Sequence, residues 1–130
     1  MYKCGRHGKG NIEGVLRMMH EFGAQQVVDA RDPIWSSSCL HSAAYHGHPN
    51  IITLLVENGA EIDPKDHYRE TPLREAIRKR KYSSITLLIK LGASLEKAHE
   101  SNWFQNWFDG NMTEQRTQDA INEGYRLAGE

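Results

Sequence analysis

Two stretches of this chain carry apolar residues at helical spacing. Ile51, Ile52, Leu54 and Leu55 form one set, and Ile85, Leu87, Leu88 and Ile89 form the other. Side chains three and four residues apart share a helix face, so each set predicts a helix with one buried stripe. The first run stops at Asn58-Gly59 and the second is followed by Gly92-Ala93, glycine being a common helix terminator. A shorter helix is predicted ahead of each. Ser38 and Thr71 can cap it, and Pro72 suits its first position, where no N–H donor is missed. Gly47 can take the left-handed turn between the paired helices. Ala60 to Glu70 is polar and turn-rich, which suits a hairpin leading into the following unit.

The two patterns are copies of one another. The shift that lays Leu40 on Leu73 also lays Ala43 on Ala76, Ile52-Thr53-Leu54-Leu55 on Ile85-Thr86-Leu87-Leu88, and Gly59-Ala60 on Gly92-Ala93. Over windows 38–62 and 71–95, eight of twenty-five positions are identical, and they preserve small, large and glycine positions together. One such unit cannot bury its own apolar face, so the pattern predicts stacking of units into a solenoid.

These residues resemble the ankyrin-repeat family. Ser38-Cys39-Leu40-His41-Ser42-Ala43-Ala44, Gly47-His48, Leu54-Leu55 and Gly59-Ala60 follow the family's pattern most closely. Thr71-Pro72-Leu73-Arg74-Glu75-Ala76, Leu87-Leu88 and Gly92-Ala93 follow it again. The second copy departs at Arg74, where the family has His, and at Arg80-Lys81, where Gly-His is usual. A non-glycine residue in a left-handed turn costs on the order of 1 kcal/mol, so a reshaped turn is expected there. The resemblance implies an all-α solenoid of helix-turn-helix units with short β-hairpin-like loops and a divergent helical C-terminal cap. Four segments are expected: a degenerate N-terminal repeat over 1–30, repeats over 31–64 and 65–97, and a cap over 98–130.

The outer segments are less regular. Gly10 to Met19, followed by Gly23-Ala24, reads as the second helix of a degenerate repeat. Gly10 and Gly23 stand one position farther apart than Gly47 and Gly59, so the copy carries an insertion. A chain that opens half-way through a unit fits both a fragment of a longer repeat protein and a natural start at Met1. Beyond Lys97 the sequence repeat fades. Trp103, Phe104, Trp107 and Phe108 fall on one face of a short helix, Asp109-Gly110 breaks it, and Asn111 with Glu114 reads as a capping box for a last helix. The four aromatics either seal the end of the stack or dock a partner.

Composition narrows the functional classes. The chain has 130 residues, with 16 basic against 17 acidic side chains and a net charge near −1. Nucleic acid is therefore not an expected partner, since it demands a basic surplus or stripe. No apolar run reaches the length needed to cross a bilayer, and the N-terminus lacks a signal-peptide apolar region, so a cytoplasmic location is expected. Cys4 and Cys39 show neither metal nor redox spacing, and Cys39 is expected to be a buried structural thiol. His41, His46 and His48 invite a metal reading. By the family resemblance, however, His41 and His48 serve backbone hydrogen bonding between repeats, leaving His46 alone. Residues 5–10 lack the Gly-Lys-Ser/Thr of a phosphate loop, and no nucleophile–base pair stands out. No metal, cofactor, small-molecule substrate or catalysis is expected.

A binding face remains. The family's concave surface corresponds here to Ile34, Trp35, Ser37, Tyr45 and His46, then to His67, Tyr68, Glu70, Arg78 and Lys79. Trp35, Tyr45, His46, His67, Tyr68, Arg78 and Lys79 are the expected protein-binding residues, because Trp, Tyr and Arg dominate interface hot spots. The cluster Arg74, Arg78, Lys79, Arg80 and Lys81 is either a solvated face or a surface for an acidic partner. The expected function is a protein–protein adaptor or scaffold, and the alternative is a small dedicated inhibitor or immunity-type protein covering the active site of an enzyme or toxin.

Overall fold

The computed structural model describes residues 12–129; Cys4 and the loop over 5–10 lie outside them. The element order is α1 (Ile12–Phe22), α2 (Ala24–Asp29), α3 (Cys39–His46), α4 (Pro49–Glu57), α5 (Pro72–Arg78), α6 (Tyr82–Lys90), α7 (Leu95–Ala98), α8 (Gln105–Met112) and α9 (Gln115–Ala128). Among the described residues the β pairing is limited to a bridge between Arg31 and Ser38 at the base of a hairpin. The fold is the all-α helical-repeat solenoid.

Local chemistry sets the helix ends. Ser38 Oγ accepts from the His41 N–H while the His41 ring accepts from the Ser38 N–H, a reciprocal cap. Thr71 accepts from the Arg74 N–H, and Pro49 and Pro72 occupy first-turn positions. Gly47 is left-handed (φ 73°), as its place before α4 requires. The equivalent Arg80 takes φ 57° all the same. The expected reshaping does not occur: Lys81 donates its N–H to the Ala76 carbonyl at 2.9 Å, just as His48 donates to Ala43 at 2.9 Å. Packing of α6 holds Arg80 in a backbone region that costs a non-glycine residue about 1 kcal/mol.

Helix starts keep the repeat's period past the point where sequence identity fades. Cys39, Pro72 and Gln105 open α3, α5 and α8 at equal intervals, and Pro49, Tyr82 and Gln115 open α4, α6 and α9 at the same interval. α3, α5 and α8 stack as an inner row, while α1, α4, α6 and α9 form an outer row. The core lies between the rows, built from Leu40, Ile51, Ile52, Leu55, Leu73, Ile77, Ile85, Leu88 and Phe108. Each of these large side chains contributes roughly 1.5–3 kcal/mol by leaving water.

The C-terminal pair departs from expectation in two ways. α8 runs through Asp109-Gly110 instead of breaking there, because its first residue is Gln105 and its register follows α5. Asn111 caps a different helix from the one expected: its Nδ2 donates to the carbonyls of Ile77 and Arg78 at the end of α5, at 3.0 and 2.6 Å. Glu114 precedes α9 without a side-chain cap. Cys39 is fully buried.

α9 approaches α6 closely enough that a Cβ at Gly124 would meet Ile89 Cβ at 2.6 Å and the Thr86 carbonyl at 2.8 Å, whereas one at Gly110 would meet open space. The same substitution should therefore change sign between the two sites. Gly124→Ala is expected to cost roughly 1–3 kcal/mol through overpacking, and Gly110→Ala to add about 0.5–1 kcal/mol through helix propensity. Urea denaturation midpoints check both.

Candidate protein-binding groove

The inner row is tied together by side chains that reach forward into the next unit. His41 Nε2 bonds the Glu70 carbonyl at 2.8 Å, 29 residues on. Its Nδ1 accepts from the Ser38 N–H, so Nε2 carries the proton and donates. Burial, opposed by the bond to Glu70, holds this imidazole down at about 4, so the ring is neutral at neutral pH. Arg74 occupies the equivalent place in α5 and does the equivalent job with a longer side chain. Its guanidinium donates to the Trp103 carbonyl at 2.8 Å, again 29 residues on. It also donates to the Ala98 carbonyl at 2.8 Å and lies 4.0 Å above the Phe108 ring. The departure from histidine at this position is thus a replacement donor, fully buried.

Those bridges fix the tips that form the groove. The His67 N–H donates to the Trp35 carbonyl at 2.7 Å, joining successive hairpin tips. Ser36 and Arg69, one repeat apart, are both left-handed at these tips (φ 57° and 64°). The turns bring Trp35 onto Tyr68 as a stacked pair at 5.4 Å, and Tyr68 meets Trp103 edge-on at 4.5 Å. Phe104, left-handed at φ 57° where Ser38 and Thr71 cap their helices, stacks on Trp107 at 6.0 Å. A positive φ at an aromatic residue is a strained backbone that persists only where surroundings hold it. Here it turns Phe104 over the inner face of α5, with the Arg78 guanidinium 4.3 Å from its ring.

The result is a groove of about 500 Å³ along the inner row, with Trp35, Tyr45, Tyr68, Phe104 and Trp107 among its walls. Of the expected binding residues, Trp35, Tyr45, His46, Tyr68, Arg78 and Lys79 line it together. His67 stands apart, edge-on behind Tyr68. Phe104 and Trp107, expected either to cap the stack or to dock a partner, line the same space, and so do Glu75, Asp66 and Asp32, which sequence reasoning missed. The signal for the first two was the repeat register of α8, visible in helix starts and not in residue identity. The cluster of four aromatics divides: Phe108 is buried in the core, while Trp103 and Trp107 are 55% and 59% exposed.

The basic run is largely occupied by the chain itself. Arg74 is buried, Arg78 pairs with Glu70 at 3.2 Å, and Arg80 pairs with Glu114 at 2.6 Å. Lys79 lies over the rings of Tyr45 and Trp107, and the Lys81 stem crosses Gly47.

A helical-repeat solenoid with an aromatic groove along its inner row belongs to the class of proteins that present surfaces to partners. A family model for ankyrin repeats (3 copies) matches residues 3–99, and the chain belongs to the ankyrin-repeat family. A putative ankyrin repeat protein of Rickettsia bellii (strain RML369-C) is 46% identical over 57 residues, covering 43% of this chain and 24% of that protein. A transient receptor potential cation channel subfamily A member 1 homolog of Caenorhabditis elegans is 29% identical over 92 residues, 71% of this chain and 7% of the channel. Serine/threonine-protein kinase 12 of Arabidopsis thaliana is 34% identical over 87 residues, 65% of this chain and 18% of the kinase. The chain thus spans a quarter or less of each relative's length. Ankyrin repeats are in general protein–protein interaction modules and typically non-catalytic. No helix among the described residues is long and apolar enough to cross a membrane.

Two measurements probe the bridges. Arg74→Met removes the donor to the Ala98 and Trp103 carbonyls and leaves Glu70 with one fewer cation, and is expected to cost roughly 3–5 kcal/mol in chemical denaturation. The His41 imidazole is held below its ordinary 6.5, so the unfolded chain binds its proton first as pH falls. Stability should drop between about pH 6.5 and 4, by up to roughly 3 kcal/mol. His41→Gln should be less stable at neutral pH and lose this part of the acid dependence in urea titrations at pH 7.5 and 4.5.

Proposed function

We propose that this chain captures a partner protein in the groove of its inner row, as an adaptor or scaffold, with Trp35, Tyr45, His46, Tyr68, Arg78 and Lys79 as contacts. One observation carries the reading. Trp35, Tyr45, Tyr68, Phe104 and Trp107 converge on one concave space, yet Trp35, Phe104 and Trp107 remain exposed there. Exposed aromatics of this kind are costly in water and typical of interface hot spots. Their ring–ring and ring–cation contacts pre-order them, which lowers the entropy lost when a partner arrives. His67 acts through position: its main chain holds the Trp35 tip, so its side chain is a secondary contact.

The test is the double variant Trp35→Ala/Tyr68→Ala, used with the intact chain as bait in a native lysate. Loss of two central aromatics should weaken a partner's affinity by a hundredfold or more, at about 2 kcal/mol for each hot spot. Helical circular dichroism should stay at the level of the unsubstituted chain, since both side chains sit outside the core. Undiminished capture of the same partner would move the binding site to another face.

A further inference from the structure

The walls of the groove are aromatic, but its floor is acidic. Asp66, Glu70 and Glu75 are all buried and bring carboxylate oxygens within 4.8 Å of one another. Two of them are answered by the chain. Asp66 Oδ1 accepts from the N–H groups of Tyr68 and Glu70, each at 2.9 Å. Glu70 faces Arg78 at 3.2 Å and Arg74 at 3.5 Å. Glu75 is different. The residue is only 8% exposed. Its hydrogen-bonding neighbour is another acid, Asp66. Burial, reinforced by the charges of Glu70 and Asp66, pushes the Glu75 carboxyl well above the usual carboxylate range.

Two buried carboxyls that hydrogen-bond each other must share a proton, and an incoming cation can take that proton's place. The charge balance points the same way. Asp32, Asp66, Glu70 and Glu75 line the groove against Arg78 and Lys79, and Arg78 is already committed to Glu70. Lys79 sits on Tyr45 and Trp107. A bare metal ion suits the floor poorly, because two guanidinium groups already face Glu70. A cation on a long apolar stem suits it well, since the stem can lie along aromatic rings while its head reaches the acids.

We propose that the groove recognises a basic side chain, a lysine or arginine on an extended segment of the partner, whose charge is received by Glu75 and Asp66 beneath the aromatic walls. This rests on the groove being the binding face. It also reverses the polarity drawn from the basic run, whose charges are largely paired within the chain.

A library of random nonapeptides displayed on phage, selected on the immobilised full chain, tests it. Selected peptides are expected to share a Lys or Arg at one position and to lose binding to Trp35→Ala/Tyr68→Ala. They should bind Glu75→Gln at least tenfold more weakly, with the variant's melting curve confirming that it is folded. Replacing the shared basic residue of one selected peptide by norleucine should weaken binding to the unsubstituted chain at least tenfold, and this arm stands whether or not Glu75→Gln folds. Peptides that need the two aromatics but show no basic position, or tolerate norleucine, would overturn this inference and leave the groove as the binding face. Peptides indifferent to the two aromatics, or a selection that yields none, would overturn both.

Discussion

Two of the inner helices, α3 and α5, each send one buried side chain forward 29 residues to a main-chain carbonyl of the next unit: His41 to Glu70, and Arg74 to Trp103. A buried carbonyl without a donor costs about 1–3 kcal/mol, so these bonds hold the connecting hairpins at fixed height above the helices. The close-packed apolar core already resists sliding of the units, and the bridges add directional contacts to it. Together they set the register. With the register fixed, positions one repeat apart stack on one another, and Trp35 meets Tyr68.

Arginine in place of histidine at the second bridge has wider consequences. The imidazole makes one forward bond, whereas the guanidinium of Arg74 donates to two main-chain carbonyls and to Gln105 Oε1, lies on Phe108 and faces Glu70. The longer donor reaches two carbonyls of the next segment, and that segment carries Trp103 and Phe104. The departure from the family pattern is thus coupled to the departure at the C-terminus. Where a further hairpin would stand, the chain runs through α7 and an aromatic turn, and Phe104 leans over Arg78. The charge beneath it binds Glu70, and Glu75 hydrogen-bonds Asp66.

Helix α9 closes the outer row by approaching α6 at Gly124, with Thr86 Oγ1 donating to the Ala120 carbonyl at 2.9 Å. Arg80 holds the α5–α6 turn in a strained backbone, a cost offset in part by its bonds to Glu114 and Asn111. The last two helices therefore brace the turn before them. They also supply Trp107 to the groove, with Phe104 at the entry to α8, so the end of the stack serves both packing and surface.

The solenoid was legible in the sequence. Leu40 and Leu73, Ala43 and Ala76, Gly59 and Gly92 recur at one spacing because stacking demands equal volumes at equal places, and caps at Ser38 and Thr71 are local chemistry. Most of the groove's first half was legible too, since Trp35, Tyr45, Tyr68, Arg78 and Lys79 occupy positions free of packing duty. The role of Arg74 was not, because its carbonyl partners on Ala98 and Trp103 are far along the chain and a buried arginine reads as a surface charge. Nor was the split among Trp103, Phe104, Trp107 and Phe108: spacing gives them one helix, but the left-handed turn at Phe104 and the register of α8 bury one ring and expose three. Glu75 reads as an ordinary helix acid, and only the approach of Asp66 from the hairpin makes it one of a cluster of buried carboxyls. Sequence determines what repeats locally, while charge pairing and exposure depend on distances between segments a whole repeat apart, which folding alone sets.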